Sequence, residues 1–332
     1  MAPRYIDYSG KRVLITGGAG FVGSHLARRL VSLGAHVTLL DSLNSNYGGN
    51  LFNIVDIRDR VAFNVTDIRD PFSMDYLVRG QDYLFSLAGQ TSHVGSMDDP
   101  ATDVDINVVA QINILEACRR HNRDVKVVFA STRQLYGTPQ YLPVDESHPT
   151  QPVDVNGVSK LAAEGYHRIY DYAFGIHTCV LRLTNTYGPG MRIKDAKQTF
   201  VGLWIRHAIE GKPVLVFGDG MQLRDFNYVG DVVDALLLAG SSSAARSKVF
   251  NLGGAEVMGL KDLAALLVEL RPGLRYEIVP FPPERKVIDI GSCYSSYALI
   301  KAELGWAPSI GLRDGLARCL EFYAAHFDRY VS

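Results

Sequence analysis

Cysteine is scarce in this chain of 332 residues, and nothing in its spacing indicates a bound metal. No C-x-x-C pair occurs, and the thiols lie far apart in the sequence, at Cys118, Cys179, Cys293 and Cys319. This separation excludes a zinc knot and is typical of buried, reduced thiols. We therefore predict no metal site, and we expect a cytoplasmic protein because thiols stay reduced there.

Long apolar runs and an excess of charge of one sign are also missing. No apolar run approaches the ~20 residues that a membrane-spanning helix requires. The 34 basic and 35 acidic side chains nearly cancel, so the basic surface of a nucleic-acid-binding protein is absent. With 47% hydrophobic and 21% charged residues, the composition is that of a globular protein. We expect neither a membrane segment nor a nucleic-acid partner.

Short apolar runs alternate with segments of helical periodicity in the first half of the chain. The apolar runs predict buried strands at 12–16, 36–41, 82–88, 126–132 and 176–183. The periodic segments predict helices at 23–33, 103–121 and 154–174. Because strands that alternate with helices form βαβ units, the chain is predicted to be an α/β protein with a parallel sheet.

The second half has a different texture, with shorter elements and many turn signals such as TYGPG, FGDG and FPP. This change predicts a dinucleotide-binding domain over 1–184 and a smaller substrate-binding lobe over 185–332. The helix and strand near 230–251 are expected to return to the first domain.

A glycine-rich segment, TGGAGFVG, follows the first predicted strand and opens the first predicted helix. Gly17 permits a tight turn, and Gly20 lets the backbone approach a pyrophosphate without a Cβ in the way. Gly23 lets helix and strand pack closely, so that the first helical amides face the phosphates. Asp41 ends the second predicted strand, where a carboxylate accepts hydrogen bonds from a ribose and repels a 2′-phosphate. The combination predicts a Rossmann-type, doubly wound fold that binds NAD rather than NADP.

Several longer motifs resemble the extended short-chain dehydrogenase/reductase family, and they occur in the family's order over most of the chain. The resemblance rests on TGGAGFVG, NVTDIRD, LAGQ, FASTRQLYG, NGVSKLAAE, LRLTNTYGPG and QLRDFNYVGDVVDA. These segments are similar to those of the family's nucleotide-sugar epimerases, dehydratases and decarboxylases. The resemblance implies dependence on NAD and a nucleotide-diphosphate sugar as substrate.

The resemblance also assigns residues to each ligand. Besides Asp41, the residues expected at the cofactor are Gly17, Gly20, Phe21, Val22, Gly23, Asp67, Ile68, Leu87, Ala88, Gly89, Gln90 and Lys160. The residues expected at the nucleotide sugar are His93, Thr132, Arg133, Asn185, Val201, Arg224 and Arg285. Within this set, Arg224 and Arg285 supply positive charge for a pyrophosphate.

Catalysis in this family uses a Tyr-x-x-x-Lys pair on one helix and a Ser or Thr on a neighbouring strand. The four-residue spacing places the pair on one helix face. Lys160 and Thr132 match the lysine and the hydroxyl, whereas Asn156 stands where the family has its tyrosine. Because an amide has no proton to exchange near neutral pH, Asn156 cannot be the general base.

Three interpretations of this replacement are open. In the first, another side chain is the base; His93 is the best candidate because imidazole titrates near pH 7, and Tyr136, Tyr187 and Cys179 are weaker ones. In the second, the reaction is changed, and the matched threonine and lysine act with substrate groups or water. In the third, the protein binds NAD and a sugar nucleotide without catalysis.

The two positions after Thr132 discriminate among the family's reactions. The 4,6-dehydratases have Asp and Glu there, the acid and base that eliminate water, whereas this chain has Arg133 and Gln134. Neither can fill those roles near neutral pH. The sequence therefore favours epimerisation through a transient keto intermediate, with a related dehydratase, decarboxylase or 4-oxidoreductase as the alternative. The donor fork of Arg133 suits a substrate carboxylate or hydroxyl instead.

The helices predicted at 103–121 and 154–174 carry apolar residues beyond a single core-facing stripe. They resemble the pair that forms the four-helix interface of the family's dimers. We therefore expect a homodimer.

Overall fold

The computed structural model describes residues 7–196 and 198–331. The strands, in chain order, are β1 Arg12–Thr16, β2 His36–Asp41, β3 Val61–Val65, β4 Tyr83–Ser86, β5 Lys126–Thr132, β6 Thr178–Leu183, β7 Asn185–Tyr187, β8 Val214–Phe217, β9 Leu223–Tyr228, β10 Val249–Asn251, β11 Val257–Gly259 and β12 Tyr276–Val279. The helices are α1 Phe21–Ser32, α2 Pro71–Leu77, α3 His93–Asp98, α4 Pro100–Val104, α5 Ala110–His121, α6 Val155–Phe174, α7 Phe200–Glu210, α8 Val229–Ser241, α9 Leu260–Leu270, α10 Pro283–Lys286, α11 Ala298–Leu304, α12 Leu312–His326 and α13 Asp328–Val331.

Seven strands form the central sheet, in the order β10-β6-β5-β4-β1-β2-β3. Each neighbouring pair runs parallel. Val13, Leu14 and Ile15 of β1 have no exposed surface, as expected of a parallel strand covered on both faces by helices. The chain leaves β1 toward β2 and β3 and later crosses to β4 on the other side, which is the Rossmann arrangement. The predicted α/β Rossmann-type fold is confirmed.

Some predicted boundaries differ from the structure for local reasons. The strand predicted over 82–88 ends at Ser86, because the next two amides donate to Thr16 Oγ1 instead of extending the ladder. The helix predicted over 103–121 begins earlier, at Pro100, where Asp99 accepts a hydrogen bond from the Thr102 amide. A π-helical stretch over Asp105–Val109 joins α4 to α5.

Residues after β6 build two smaller sheets, β11-β9-β7 and β12-β8. Helices α7, α9 and α12 pack with them around a core that includes Trp204, Leu263 and Tyr323. Strand β10 instead pairs with β6 at the edge of the central sheet, and α8 packs beside α1. The division into a cofactor domain and a substrate lobe stays a prediction.

The helices of the described residues include none that combines the length and the apolar character needed to cross a membrane. Over the same residues, no three His, Cys, Asp or Glu side chains are grouped so that they could hold a metal ion.

Candidate active site

A cavity of about 540 Å³ opens at the carboxyl ends of β1, β2, β4 and β5. Its far wall comes from the smaller sheets, with Phe217 on β8 and Arg224 on β9 among the lining residues. The position between β1 and β4 is the topological switch point of the sheet, where doubly wound proteins bind their ligands. The volume lies within the range of small-molecule sites.

The glycine-rich turn leaves room for a phosphate beside the start of α1. Gly17 has a φ of +72°, a left-handed conformation that favours glycine. A Cβ on Gly23 would lie 2.1 Å from the Gly17 carbonyl oxygen, so close packing of the turn against the helix requires glycine there. No side chain caps the first turn of α1. Its amides are therefore available to an anion, and the turn fits a dinucleotide pyrophosphate.

Asp41 lies at the end of β2 with its carboxylate held by the backbone. Oδ2 accepts a hydrogen bond of 3.0 Å from the Ala19 amide, and Oδ1 accepts one of 2.9 Å from the Leu43 amide. Burial raises the pKa of this carboxyl, and the surrounding amides oppose that rise. A carboxylate has about four acceptor sites, so Asp41 can still accept a hydrogen bond from a ribose hydroxyl. These features fit NAD.

Nearly all residues predicted at the cofactor line the cavity. They are Gly17, Gly20, Phe21, Val22, Gly23, Asp41, Asp67, Ile68, Leu87, Ala88, Gly89 and Lys160. Gln90 is the exception, since it is buried away from the lining. Its carbonyl oxygen accepts hydrogen bonds from the side-chain amides of Asn107 and Asn156. These bonds hold Gln90 in the protein interior.

Lys160 lies at the back of the cavity, where its Nζ donates to the Ala130 carbonyl oxygen at 3.2 Å. Burial lowers the pKa of this ammonium group to about 8, although the charges of Asp103 and Glu164 oppose the shift. A Cβ on Gly89 would lie 3.1 Å from Nζ. The lysine therefore reaches the turn after β4, which is predicted to contact the cofactor.

Asn156 is committed to the buried structure below that turn. Its Nδ2 donates to the Gln90 carbonyl oxygen at 2.8 Å and to Asp103 Oδ2 at 3.2 Å. Its backbone amide donates to Ser96 Oγ at 3.1 Å. The amide side chain thus joins α6 to α4 and to the turn after β4, a structural role that leaves proton transfer to another group.

Three of the four side chains considered as substitute bases are ruled out by burial. Tyr136, Tyr187 and Cys179 are each at most 1% exposed, and none lines the cavity. Burial raises the pKa of Tyr136 to about 12, and its hydroxyl donates to Asn251 Oδ1. Burial also raises the pKa values of Tyr187 and Cys179. A buried phenol or thiol that cannot ionise or reach the cavity cannot accept the proton.

His93 begins α3 and lines the same cavity as Thr132, Asn156 and Lys160. The side chain of His93 is 36% exposed, and its Nδ1 lies 2.9 Å from Asp154 Oδ2, a carboxylate with no exposed side-chain surface. The ring is turned so that this contact is not an aligned hydrogen bond. The cavity's second described histidine, His207, has its Nδ1 at 2.8 Å from the Pro213 carbonyl oxygen.

Asp154 was missed by the sequence analysis. It directly precedes α6, and its Oδ1 accepts from the Gly157 amide at 2.7 Å, the geometry of a helix N-cap. An aspartate before a predicted helix indicates such a cap. Nothing in the local sequence indicates that the second carboxylate oxygen faces His93.

The turn after β5 carries the matched threonine and the two residues that differ from the dehydratases. Thr132 Oγ1 accepts from the Gln134 amide at 3.2 Å, and Gln134 Nε2 donates to Asp154 Oδ2 at 2.9 Å. Arg133 Nη2 donates to Asn185 Oδ1 at 3.1 Å. Its Nη1 is buried without a hydrogen-bond partner among the described residues, which leaves a donor for a ligand.

The remaining residues predicted at the substrate differ in whether they line the cavity. Arg224, Arg285 and Asn185 line the cavity. Burial, together with the charge of Arg133, lowers the pKa of Arg224 to about 10. Val201 lies instead in the core of the smaller lobe at 1% exposure, whereas Phe200 lines the cavity. The two neighbours on α7 face different ways, because successive helical residues point about 100° apart.

Comparison with known proteins agrees with this site. A profile of the NAD dependent epimerase/dehydratase family matches residues 13–253. The chain belongs to that family. A protein of Methanocaldococcus jannaschii, provisionally named a UDP-glucose 4-epimerase, is 35% identical over 93% of this chain and 97% of its own length. The UDP-glucose 4-epimerase of Mycolicibacterium smegmatis is 30% identical over 94% of this chain and 98% of its own.

Solved structures give the same result. The UDP-glucose 4-epimerase of Thermotoga maritima, crystallised with UDP-glucose, superposes with a TM-score of 0.85 at 29% identity. The match covers 95% of this chain and 99% of that one. The predictions of the family, of NAD as cofactor and of an NAD-dependent nucleotide-sugar epimerase are confirmed.

Proposed function

We propose that this epimerase inverts one carbon of a sugar carried on a uridine diphosphate, and that His93 takes the proton that tyrosine takes elsewhere in the family. The observation that carries the assignment is that His93 shares the cavity with Thr132 and Lys160, while Asn156 and both candidate tyrosines are committed to buried contacts. Uridine is supported by the names of the Mycolicibacterium and Thermotoga relatives.

Each residue of the site then has a separate task. Thr132 donates a hydrogen bond to the reacting hydroxyl, and His93 removes the hydroxyl proton directly or through one water. Lys160 holds the nicotinamide ribose, and its charge stabilises the developing alkoxide. NAD, when held here, would supply the hydride acceptor for the sugar carbon and the donor for the return of that hydride to the other face. The keto sugar turns between the two transfers, so His93 also returns the proton to the product.

The substrate end of the cavity supports a diphosphate. Arg224, Arg285 and Arg133 are all among its lining residues, and guanidinium is suited to bidentate phosphate contacts. Arg285 Cζ lies 5.5 Å from the centre of the Phe217 ring, which leaves its donor edge free to approach a phosphate. Asn185 supports the position of Arg133 and also donates to the Asp225 carbonyl oxygen at 2.8 Å.

A second candidate, a protein that binds NAD and sugar nucleotide without catalysis, is favoured by one observation: the side chain at the tyrosine position is an amide that donates to two buried acceptors. Incubation of the purified protein with a panel of nucleotide sugars in D₂O separates the two. NMR of the products identifies the inverted carbon, and absorbance near 340 nm detects reduced cofactor during turnover. Substrate binding without a new sugar or any reduced cofactor would establish the second candidate.

We also propose that the enzyme is a homodimer. Exposed apolar side chains lie along α6, including Val158, Ile169 and Tyr172, of which Tyr172 is 90% exposed. Val104 and Val109 extend this surface onto the adjoining helices. Covering so many apolar side chains requires a partner surface, and a second copy supplies one. A cytoplasmic location is supported by the four buried free thiols.

A further inference from the structure

A buried carboxylate that neither the cofactor nor the substrate requires lies directly behind the proposed base. Asp154 is 3% exposed, and its Oδ2 is 2.9 Å from Nδ1 of His93. Burial opposes ionisation of Asp154, yet the nearby His93 ring and the amide donors of Gly157 and Gln134 hold the pKa of its carboxyl below the usual value. Asp154 is therefore a charged acceptor at neutral pH.

Asp154 also ties His93 to the strand that carries Thr132. The same Oδ2 accepts a hydrogen bond of 2.9 Å from Gln134 Nε2, in the turn that follows Thr132. On the other side, Ser96 Oγ donates to the His93 carbonyl oxygen at 2.7 Å and accepts from the Asn156 amide. Helix α3 is therefore held against the start of α6 by contacts of its first residue, His93, and of Ser96.

We infer that Asp154 is the positioning residue for a histidine base, and that the pair His93–Asp154 replaces the tyrosine of the family. This inference rests on the proposed function of His93. A carboxylate facing Nδ1 keeps the proton on that nitrogen, so Nε2 carries the lone pair that accepts the sugar proton. Once Nε2 is protonated, the buried carboxylate stabilises the imidazolium.

The contact between His93 Nδ1 and Asp154 Oδ2 becomes a linear hydrogen bond when the imidazole ring rotates. Catalytic hydrogen bonds are often poorly aligned in the absence of substrate and tighten when it binds. The other charged groups on elements packed against His93 lie on α3, α4, α6 and the turn after β5. They are Asp98, Asp99, Asp103, Arg133 and Lys160, and, further along α6, Glu164, Arg168 and Asp171.

The decisive variant is Asp154→Asn, measured in the NAD-loaded enzyme. Asparagine caps a helix as well as aspartate does, so its oxygen keeps the bond from the Gly157 amide. Its NH₂ group then faces His93, which favours the tautomer with the proton on Nε2. We expect kcat to fall about 10²- to 10⁴-fold, the range for loss of a general base. The acidic limb of the pH–rate profile moves to lower pH, because the neighbouring negative charge is gone.

A structural readout accompanies the kinetics. In ¹⁵N-labelled protein, two-bond correlations of the His93 ring report which nitrogen carries the proton, and we expect them to switch from Nδ1–H to Nε2–H in Asp154→Asn. Asp99→Asn is the matched control, since Asp99 is also a helix N-cap but caps α4 through the Thr102 amide. That control should keep the parental kcat, pH profile and His93 tautomer, and both variants should keep the parental melting temperature within a few degrees.

The outcomes separate the two claims. If His93→Gln keeps parental turnover, histidine is not the base, and both the proposed role of His93 and that of Asp154 are wrong. If His93→Gln is inactive while Asp154→Asn retains the parental tautomer and pH profile, only the role of Asp154 is overturned, and the residue is a helix cap. Loss of turnover together with the tautomer switch supports the pair.

Discussion

Cofactor choice is predicted to depend on one carboxylate, and Asp41→Ala tests it. Two of the acceptor positions on Asp41 are occupied by the Ala19 and Leu43 amides, so the others are available to the adenosine ribose. A hydrogen bond to a charged group contributes ~1.5–3 kcal/mol. Since 1.4 kcal/mol corresponds to a factor of ten, loss of one such bond weakens NAD binding about 10- to 100-fold.

Asp41→Ala should strengthen the binding of NADP relative to the binding of NAD. The buried carboxylate repels a 2′-phosphate, and its removal lifts that repulsion, so the preference for NAD should fall by at least about tenfold. Asp41→Asn removes the charge but keeps an acceptor, and it should lie between the parent and the alanine variant. Asp59→Ala, on an exposed turn, is the control.

The assay is isothermal titration of the NAD-free protein with NAD and with NADP. Thermal unfolding without ligand must accompany it, because Asp41→Ala also leaves the Ala19 and Leu43 amides without their acceptor, at ~1–3 kcal/mol each where they stay buried. If parent and alanine variant bind NAD equally well, Asp41 does not contact the cofactor and this reasoning is refuted.

Four other predictions each depend on one feature of the structure. Gly23→Ala should weaken NAD binding at least about tenfold by titration, because the glycine-rich turn must shift. The new Cβ would lie 2.1 Å from the Gly17 carbonyl oxygen. Parental affinity for NAD would contradict this prediction. Asn156→Ala should reduce kcat only about fivefold, as expected for loss of one hydrogen bond of ~1 kcal/mol. His93→Ala should reduce kcat about 10²–10⁴-fold. Equal losses of kcat in the two variants would disprove the assignment of His93 as the base. Ile169→Glu should lower the mass seen by light scattering from dimer to monomer, and a parental protein that is already monomeric removes the proposed interface. Arg182→Met should lower the free energy of unfolding by ~3–5 kcal/mol in denaturant unfolding, because the buried Glu164 carboxylate would lose its ion pair. In the parent, Arg182 Nη2 lies 2.6 Å from that carboxylate. An unchanged unfolding midpoint would show that the pair contributes little.

Local patterns selected cofactor-site candidates that the structure brings together at one cavity. The glycine turn, the end of β2 and the turn after β4 each consist of consecutive residues whose roles follow from one strand-to-helix connection. Their residues line the cavity as expected, apart from Gln90. Gln90 differs because two amides from α6 and the π-helical stretch, Asn156 and Asn107, draw its carbonyl into the protein. No local pattern could indicate these partners, which are far away in the sequence.

On the substrate side the sequence was less informative. Phe200 and Val201 are adjacent in the sequence, and adjacency does not say which of the two side chains faces the cavity. The structure buries Val201 against the core of the smaller lobe and leaves Phe200 at the cavity wall. That choice depends on how α7 is rotated against α12, a contact between segments that are distant along the chain.

The sequence by itself determined the fold class, the family, NAD as cofactor and the absence of a tyrosine at position 156, because each depends on residues close together in the chain. Only the tertiary structure decided which side chains surround that position. It buried Tyr136, Tyr187 and Cys179, left His93 on the cavity and placed Asp154 behind it. The physical reason is that burial and the approach of His93 to Asp154 are set by the packing of α3 against α6. Packing between distant segments leaves no periodic trace in the sequence.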